Sequence, residues 1–349
     1  MDEPARSKLR PHARLTEVAD RAGVSLATAS RALNGSDRTV SERYRRRVLA
    51  AAAQLGYRAN PHAQAMARGA SNIVGLVVHD LADPYFSAIA DGVMRQCEHR
   101  GLVTVLASTR RDPEREIDYV VALRAQRAQA IIVVGSRTSD RALTARLAEE
   151  LAGYAESGGR AACVSQNRLG TNTVFIQNRA GARDLAQRLA ALGHRRFGVL
   201  AGPADLITAR DRRAGFLEGL ASAGVPPEEA RVIHGAFSRD GGYTAAHQLV
   251  AEGFGVTCVF ACNDVMAVGA IAAFRDHGLH VPDDVSVAGF DDIKPLRDLV
   301  PRLTTVHLDL EDLGERAAAL ALDSTSENRA HVVRVRGQVV LRQSTRRLP

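Results

Sequence analysis

From residue 15 to residue 55 the apolar positions recur at three- and four-residue intervals; beyond residue 72 they become short unbroken runs between helical stretches. The first pattern predicts short amphipathic helices, the second buried strands of a parallel α/β sheet. Leu15, Val18, Ala19 and Ala22 share one face of a helix from about Thr16 to Ala22, ended by Gly23, where a tight turn needs a permissive backbone. Ser25 caps a second helix over about Leu26–Leu33. After the loop NGSDRT, Ser41 caps a third helix that runs to about Leu55, with Tyr44, Val48, Leu49, Ala52 and Leu55 as its core face and Gly56 as its stop. Two short helices joined by a Gly-containing turn have the helix-turn-helix spacing, in which the second helix enters the major groove.

Charge sharpens this picture. The 349-residue chain carries +7, and residues 1–70 hold 13 Lys and Arg against 6 Asp and Glu, whereas the remainder balances at 33 of each. A compact basic segment on a neutral body is the footprint of a phosphate-binding module. Within the second helix, Leu26, Ala27 and Arg31 are the candidate base readers: Arg31 can grip guanine at two points, and Leu26 and Ala27 can offer apolar contact to a thymine methyl. Packing of Leu26 inside the headpiece is the alternative. Ser25, Thr28, Ser30, Asn34 and Tyr57 suit phosphate, which positions without specifying. Arg43, Arg45, Arg46 and Arg47 lie mostly off the third helix's core face and read as solvated.

Beyond Asn72, the runs IVGLVV, VTVLAS, AIIVVG, FGVLAG, VTCVFAC and VSVAGF read as buried strands. Helices over roughly 85–99, 114–126, 179–192, 211–223, 241–252 and 264–277 lie between them. The count suits two doubly wound parallel-sheet subdomains behind an all-α headpiece, with ligand expected at the carboxyl ends of the strands. Polar residues follow strands at Asp83, Tyr85 and Phe86, at Arg210 and Asp211, at Asn263 and Asp264, and at Asp291 and Asp292. Asp264 and Asp292 read better as caps of the following segments. No P-loop and no HExxH motif occurs, and the eleven histidines show no ligand pairing, so no catalytic group, cofactor or metal is expected. Cys97, Cys163, Cys258 and Cys262 are scattered and read as buried, reduced thiols. The opening MDEPARSKLRPHARL lacks a signal-peptide run, and no stretch of about 18 apolar residues follows, so a cytoplasmic protein without membrane contact is expected.

The run EVADRAGVSLATASRALNG resembles the headpiece signature of the LacI/GalR family of bacterial transcriptional regulators, and GYRANPHAQAMARGASNIVGLVV resembles its hinge and first core strand. ADPYFSAIADGV, LAGPADLITARDRRAGFLEGL, FACNDVMAVGAI, VPDDVSVAGFDDI and PRLTTVHLD extend the resemblance over essentially the whole chain after about residue 14. It implies a periplasmic-binding-protein-like core with three crossovers between its subdomains. The implied divisions are a basic tail at 1–14, a DNA-binding domain at 15–58, a hinge at 59–70 and a core at 71–349. Within the core, one subdomain would take about 71–172 and 308–330, the other about 173–307 and 331–349.

The resemblance also implies function: a homodimer on a pseudo-palindromic double-stranded operator, most often as a repressor, switched by a small effector with a sugar favoured. The hinge would enter the minor groove through Asn60, Ala63 and Met66, methionine standing where the family has its leucine wedge. Positions matching Arg210, Asn263 and Asp291 commonly clasp the effector, with Asp83, Tyr85 and Phe86 beside them. Guanidinium, amide and carboxylate groups can bind adjacent hydroxyls, and an aromatic ring can stack on a sugar face. The family's aspartates near Ser165–Asn167 and Gln177 are missing here, and the chain has no Trp. His307 reads as either a packing residue or an effector neighbour. The terminal VVRVRGQVVLRQSTRRLP has no leucine heptad, which favours a dimer over a tetramer. A solute-binding protein would share the core but need no headpiece, and a sugar-modifying enzyme fused to a DNA-binding domain would need catalytic groups in the cleft.

Overall fold

The computed structural model describes residues 13–34, 40–57, 71–323 and 330–349. The chain divides into two compact units, Met1–Ser71 and Asn72–Pro349.

Among the described residues the first unit holds three helices, α1 (Leu15–Ala22), α2 (Leu26–Asn34) and α3 (Glu42–Leu55). Gly23 closes α1 at φ 61°, in the left-handed region, and its N–H donates to the Asp20 carbonyl at 3.1 Å. Ser25 caps α2 as expected, its Oγ accepting from the Thr28 N–H at 3.1 Å. Ser41 precedes α3 but makes no side-chain cap, so Glu42 in the first turn is left to complement the helix dipole. Small side chains fill the core: Val18, Ala19 and Ala22 from α1, Ala29 and Ala32 from α2, and Val48, Ala51 and Ala52 from α3. The expected core face of α3 is therefore corrected. Tyr44 and Leu49 are 44% and 47% exposed, because the buried stripe runs through Val48, Ala51 and Ala52 and Leu49 lies about 100° around from Val48.

In the second unit, strands β1 (Ile73–Val78), β2 (Val103–Ser108), β3 (Ala130–Val134), β4 (Arg160–Val164) and β5 (Asn172–Ile176) join β11 (Val332–Val335) in one parallel sheet of order β11-β5-β4-β3-β1-β2. A second parallel sheet, ordered β7-β6-β8-β9, holds β6 (Phe197–Ala201), β7 (Arg231–His234), β8 (Cys258–Ala261) and β9 (Ser286–Ala288). β10 (Thr305–His307) pairs antiparallel with β12 (Gln338–Val340). Alternation along β1 and β3 explains the layers. Val74, Leu76, Val78, Ala130, Ile132 and Val134 face the larger core, while Val77, Ile131 and Val133 face the smaller core on the other side of the sheet.

Helices α4 (Pro84–Glu98), α5 (Pro113–Ala125), α7 (Asn178–Ala191), α8 (Ile207–Ser222), α9 (Arg239–Ala251) and α10 (Asp264–Asp276) lie close to their expected spans. Two more, α6 (Arg141–Glu156) and α11 (Leu310–Leu322), were not expected. α6 is followed by Gly158 in the left-handed region (φ 87°), the same stop that Gly193 and Gly224 give α7 and α8, so its end is legible; α11 has its C-cap at Asp323, with Ser, Thr and Ser rather than glycine after it. The expected subdomain boundaries also move. β5 and β11 complete the first sheet, so the chain crosses between sheets near residues 177 and 336 rather than at 172/173 and 330/331. All four cysteines are buried free thiols.

Candidate functional site

Both sheets reverse their strand order beside the first strand, between β1 and β3 and between β6 and β8. Such reversals leave a crevice at the carboxyl ends of the strands. A cavity of about 540 Å³, its mouth included, lies there between the two sheets' loops. Asp83, Tyr85, Phe86, Asn263 and Asp291 all line it. Arg210 does not: it is exposed on α8, and Thr208 and Arg212 line the cavity instead. The reason is helical geometry, since residues four apart share a face while one two positions along points about 200° away. The expected guanidinium is therefore present, but at position 212.

Arg212 organises the second subdomain's wall. It donates to both carboxylate oxygens of Asp291 at 2.7 and 3.2 Å, to Asn178 Oδ1 at 2.8 Å and to the Cys262 carbonyl at 2.8 Å. Burial pushes the Asp291 carboxyl up to about 7, against the pull of the Arg212 charge. Asn263 caps α10 by accepting from the Met266 N–H at 2.9 Å. The cap is thus Asn263 and not Asp264, which is buried and accepts from Thr305 Oγ1 at 2.6 Å and the Ile293 N–H at 3.0 Å. Asp292 is not a cap either; it pairs with Arg342 and accepts from His307 Nδ1 at 2.9 Å. His307 therefore packs at the crossover, outside the cavity lining.

From the first subdomain, Asp83 caps α4 through the Tyr85 N–H at 3.0 Å and meets Arg111 at 3.4 Å. Burial raises its carboxyl and also the Tyr85 phenol. The Arg111 guanidinium stands 5.8 Å from the ring centres of both Phe86 and Phe237, which belong to opposite subdomains. His79, Arg111, Ser136 and Gln166 complete this wall. Each follows a strand closely, so the rule that found Asp83 and Asn263 could have found them. Gln177 is not in the lining; its neighbour Asn178 is.

In the first unit, Leu26 is 49% exposed and Ala27 and Arg31 are exposed on the same side of α2, while Ala29 and Ala32 are buried on the other. Leu26 therefore does not pack inside the headpiece. Ser25 Oγ and Thr28 Oγ1 lie 2.8 Å apart, Ser30 is half-buried, and Tyr57 packs against the headpiece core. Arg43, Arg45, Arg46 and Arg47 are all exposed. The Asn34 side chain and the hinge residues Asn60, Ala63 and Met66 lie outside the described residues. Among the described residues no helix is long and apolar enough to cross a membrane.

Residues 14–60 match the family described as bacterial regulatory proteins, lacI family, and residues 186–345 match a periplasmic binding protein-like domain. The transcriptional regulator GalS of Salmonella typhimurium is 34% identical over 316 residues, covering 89% of this chain and 90% of that protein. The transcriptional repressor PurR of Photorhabdus laumondii is 32% identical over 339 residues, covering 95% and 96%. This chain belongs to the LacI family of bacterial regulatory proteins. As a LacI-family member it is a helix-turn-helix DNA-binding transcriptional regulator, with an all-α headpiece and a periplasmic-binding-protein-like α/β core. Its structure is similar to the lac repressor dimer bound to operator and the anti-inducer ONPF, with a TM-score of 0.80, 28% identity and coverage of 96% and 100%. It is also similar to the CelR–cellobiose complex, with a TM-score of 0.67, 30% identity and coverage of 95% and 100%.

Proposed function

We propose that this LacI-family regulator is a cytoplasmic repressor that binds a pseudo-palindromic operator as a homodimer and is switched by an uncharged sugar in the core cleft. The observation that carries the effector class is charge balance. Each acid lining the cavity is matched by a base, Asp83 by Arg111 and Asp291 by Arg212. A phosphate or carboxylate would bring an unpaired charge into that space, at a cost that hydroxyl groups avoid. Hydroxyls both donate and accept, which suits the amides of Asn178, Asn263 and Gln166 and the hydroxyls of Ser136 and Thr208. Phe86 and Phe237 offer apolar faces to a ring.

The similarity to a repressor dimer on its operator and to a cellobiose complex supports the same reading. In it, Leu26, Ala27 and Arg31 read bases, and Ser25, Thr28, Ser30, Asn34 and Tyr57 position the headpiece on phosphate. Asn60, Ala63 and Met66 form the minor-groove hinge, with Met66 as the wedge. The cleft binds its ligand without converting it. By linkage, operator and effector alter each other's affinity by the same factor.

A thermal-shift panel of neutral sugars, sugar phosphates and nucleosides tests this. A neutral sugar should raise the melting temperature by several degrees, since a ligand of the folded state stabilises it, and should change operator affinity in fluorescence anisotropy. Shifts confined to phosphates or nucleosides would overturn the effector class, and turnover of the sugar would overturn the binding role.

A further inference from the structure

Behind the cleft wall lies a buried ion pair that the effector reading does not use. Arg137 and Glu116 are 5% and 2% exposed, and two hydrogen bonds of 2.5 and 2.6 Å join them. A buried pair of this kind adds little net stability, because desolvation offsets its attraction. Its geometry is more telling. The same guanidinium donates to Ser165 Oγ at 3.3 Å and to the Gly135 carbonyl at 3.3 Å, and lies 3.4 Å from His79 Nε2. His79 follows β1, Gly135 follows β3 and Ser165 follows β4, so one planar fork ties together the carboxyl ends of three strands and α5. All three residues line the cavity.

The backbone of the same residue faces the other subdomain. The Arg137 carbonyl accepts from the Ile207 N–H at 3.0 Å, and the Ser139 N–H donates to the Asp205 carbonyl at 2.8 Å. Thr138 and Leu206 form an antiparallel bridge between these bonds. The Thr208 N–H donates to Ser136 Oγ at 3.0 Å, and Gln166, whose Oε1 accepts from the Arg137 N–H at 2.7 Å, reaches Thr208 Oγ1 at 3.0 Å. Residues 136–139 and 205–208 thus form a seam across the cleft.

We infer that Arg137, held by Glu116, is a positioning residue that couples the wall of the cleft to the seam by which the two subdomains close. The side chain fixes the wall loops, and the main chain of the same residue and of the next two presents the hydrogen-bonding edge that the second subdomain docks on. Loosening the side chain should therefore open the seam without unfolding either subdomain. This coupling rests on reading the cleft as the effector site, but its test needs no effector.

The test is hydrogen–deuterium exchange of the full-length, ligand-free protein, wild type against Arg137→Met with Glu116→Leu, an apolar replacement that a purely structural pair tolerates. Peptides covering the Ser139, Ile207 and Thr208 amides should exchange at least ten-fold faster, while β3 amides and the melting temperature stay near wild type. Unchanged seam protection, or faster exchange spread evenly over β3 and the seam, would overturn the coupling. Should the double change prevent folding, Glu116→Gln keeps the shape while weakening the hold; a roughly three-fold loss confined to the seam supports the proposal and no loss overturns it. In a second arm, wild-type protein is titrated with the neutral-sugar panel. Silence there counts against the effector reading alone, whereas the seam result stands independently.

Discussion

Arg212 grips Asp291 at two points, and the two side chains are 2% and 6% exposed. The pair fixes a strained corner. Asp291 has φ 118°, a region that non-glycine residues enter only when their surroundings over-determine it. The guanidinium also lies 3.8 Å from the centre of the Phe290 ring. One arginine thus joins α8, the start of α7 and the loops after β8 and β9 into a single wall.

Arg212→Ala should therefore act on both stability and response. It leaves the Asp291 carboxylate buried without its partner, for which a loss of about 3–5 kcal/mol is expected, and it removes the donor facing the ligand. Urea denaturation should record the first effect, and loss of the sugar-dependent change in operator affinity the second. Arg210→Ala, on the exposed face of the same helix, should stay within about 0.5 kcal/mol of wild type and keep the response. The reverse ranking would return the site to position 210.

The contrast between 210 and 212 marks how far the sequence is informative. Apolar runs reveal which segments are strands, and the residues that follow them identify the mouth of the cleft, because a strand's carboxyl end is a fixed address in a doubly wound sheet. Asp83, Asn263 and Asp291 were legible for that reason. Which of two arginines turns inward depends on the phase of α8, and that phase is set by packing of Ala209, Phe216 and Leu220 rather than by any local signal. The expected core face of α3 missed for the same reason. The Arg137–Glu116 pair was illegible for another: its partners lie 21 residues apart and meet only through tertiary packing.

In the headpiece, the exposed positions of α2 make a sharper case than charge alone. Arg31→Ala should weaken operator binding by about 1–3 kcal/mol and relax preference at one base position. Anisotropy titrations against operator variants would read this directly. An equal loss on all DNA, with a shallower salt dependence, would make Arg31 a phosphate contact instead.

The Glu116–Arg137 pair gives a pH dependence of defined sign. Burial alone would raise the Glu116 carboxyl, but the Arg137 guanidinium and His79 hold it at about 2, below the ordinary 4.5. Above about pH 4.5 it is ionised in both folded and unfolded chains, and its stabilisation is complete. As pH falls towards 2 the unfolded chain takes up the proton first, so stability is lost at up to about 1.4 kcal/mol per pH unit. Denaturant midpoints at pH 5, 4 and 3 should fall less steeply for Glu116→Gln than for wild type. Equal slopes would mean that Glu116 is not held down in the folded state.

The last prediction concerns how α4, which carries Asp83, Tyr85 and Phe86 at its start, is seated. At Gly92 a Cβ would stand 2.0 Å from the Glu311 carbonyl oxygen, and at Gly314 it would stand 2.1 Å from that of Ile89. Both obstacles are backbone, so no side chain can swing aside; α4 and α11 would have to move apart and leave space between Val93 and Leu313, which are fully buried. Gly92→Ala and Gly314→Ala should each cost about 1–3 kcal/mol. Because the separation drags the start of α4 with it, ligand affinity should fall alongside thermal stability. Each substitution forces the same two helices apart from opposite sides, so the double variant should lose less than the sum of the two. Strict additivity would show that the helices yield independently at the two contacts, and unchanged ligand affinity would show that α4 can shift without disturbing the cleft.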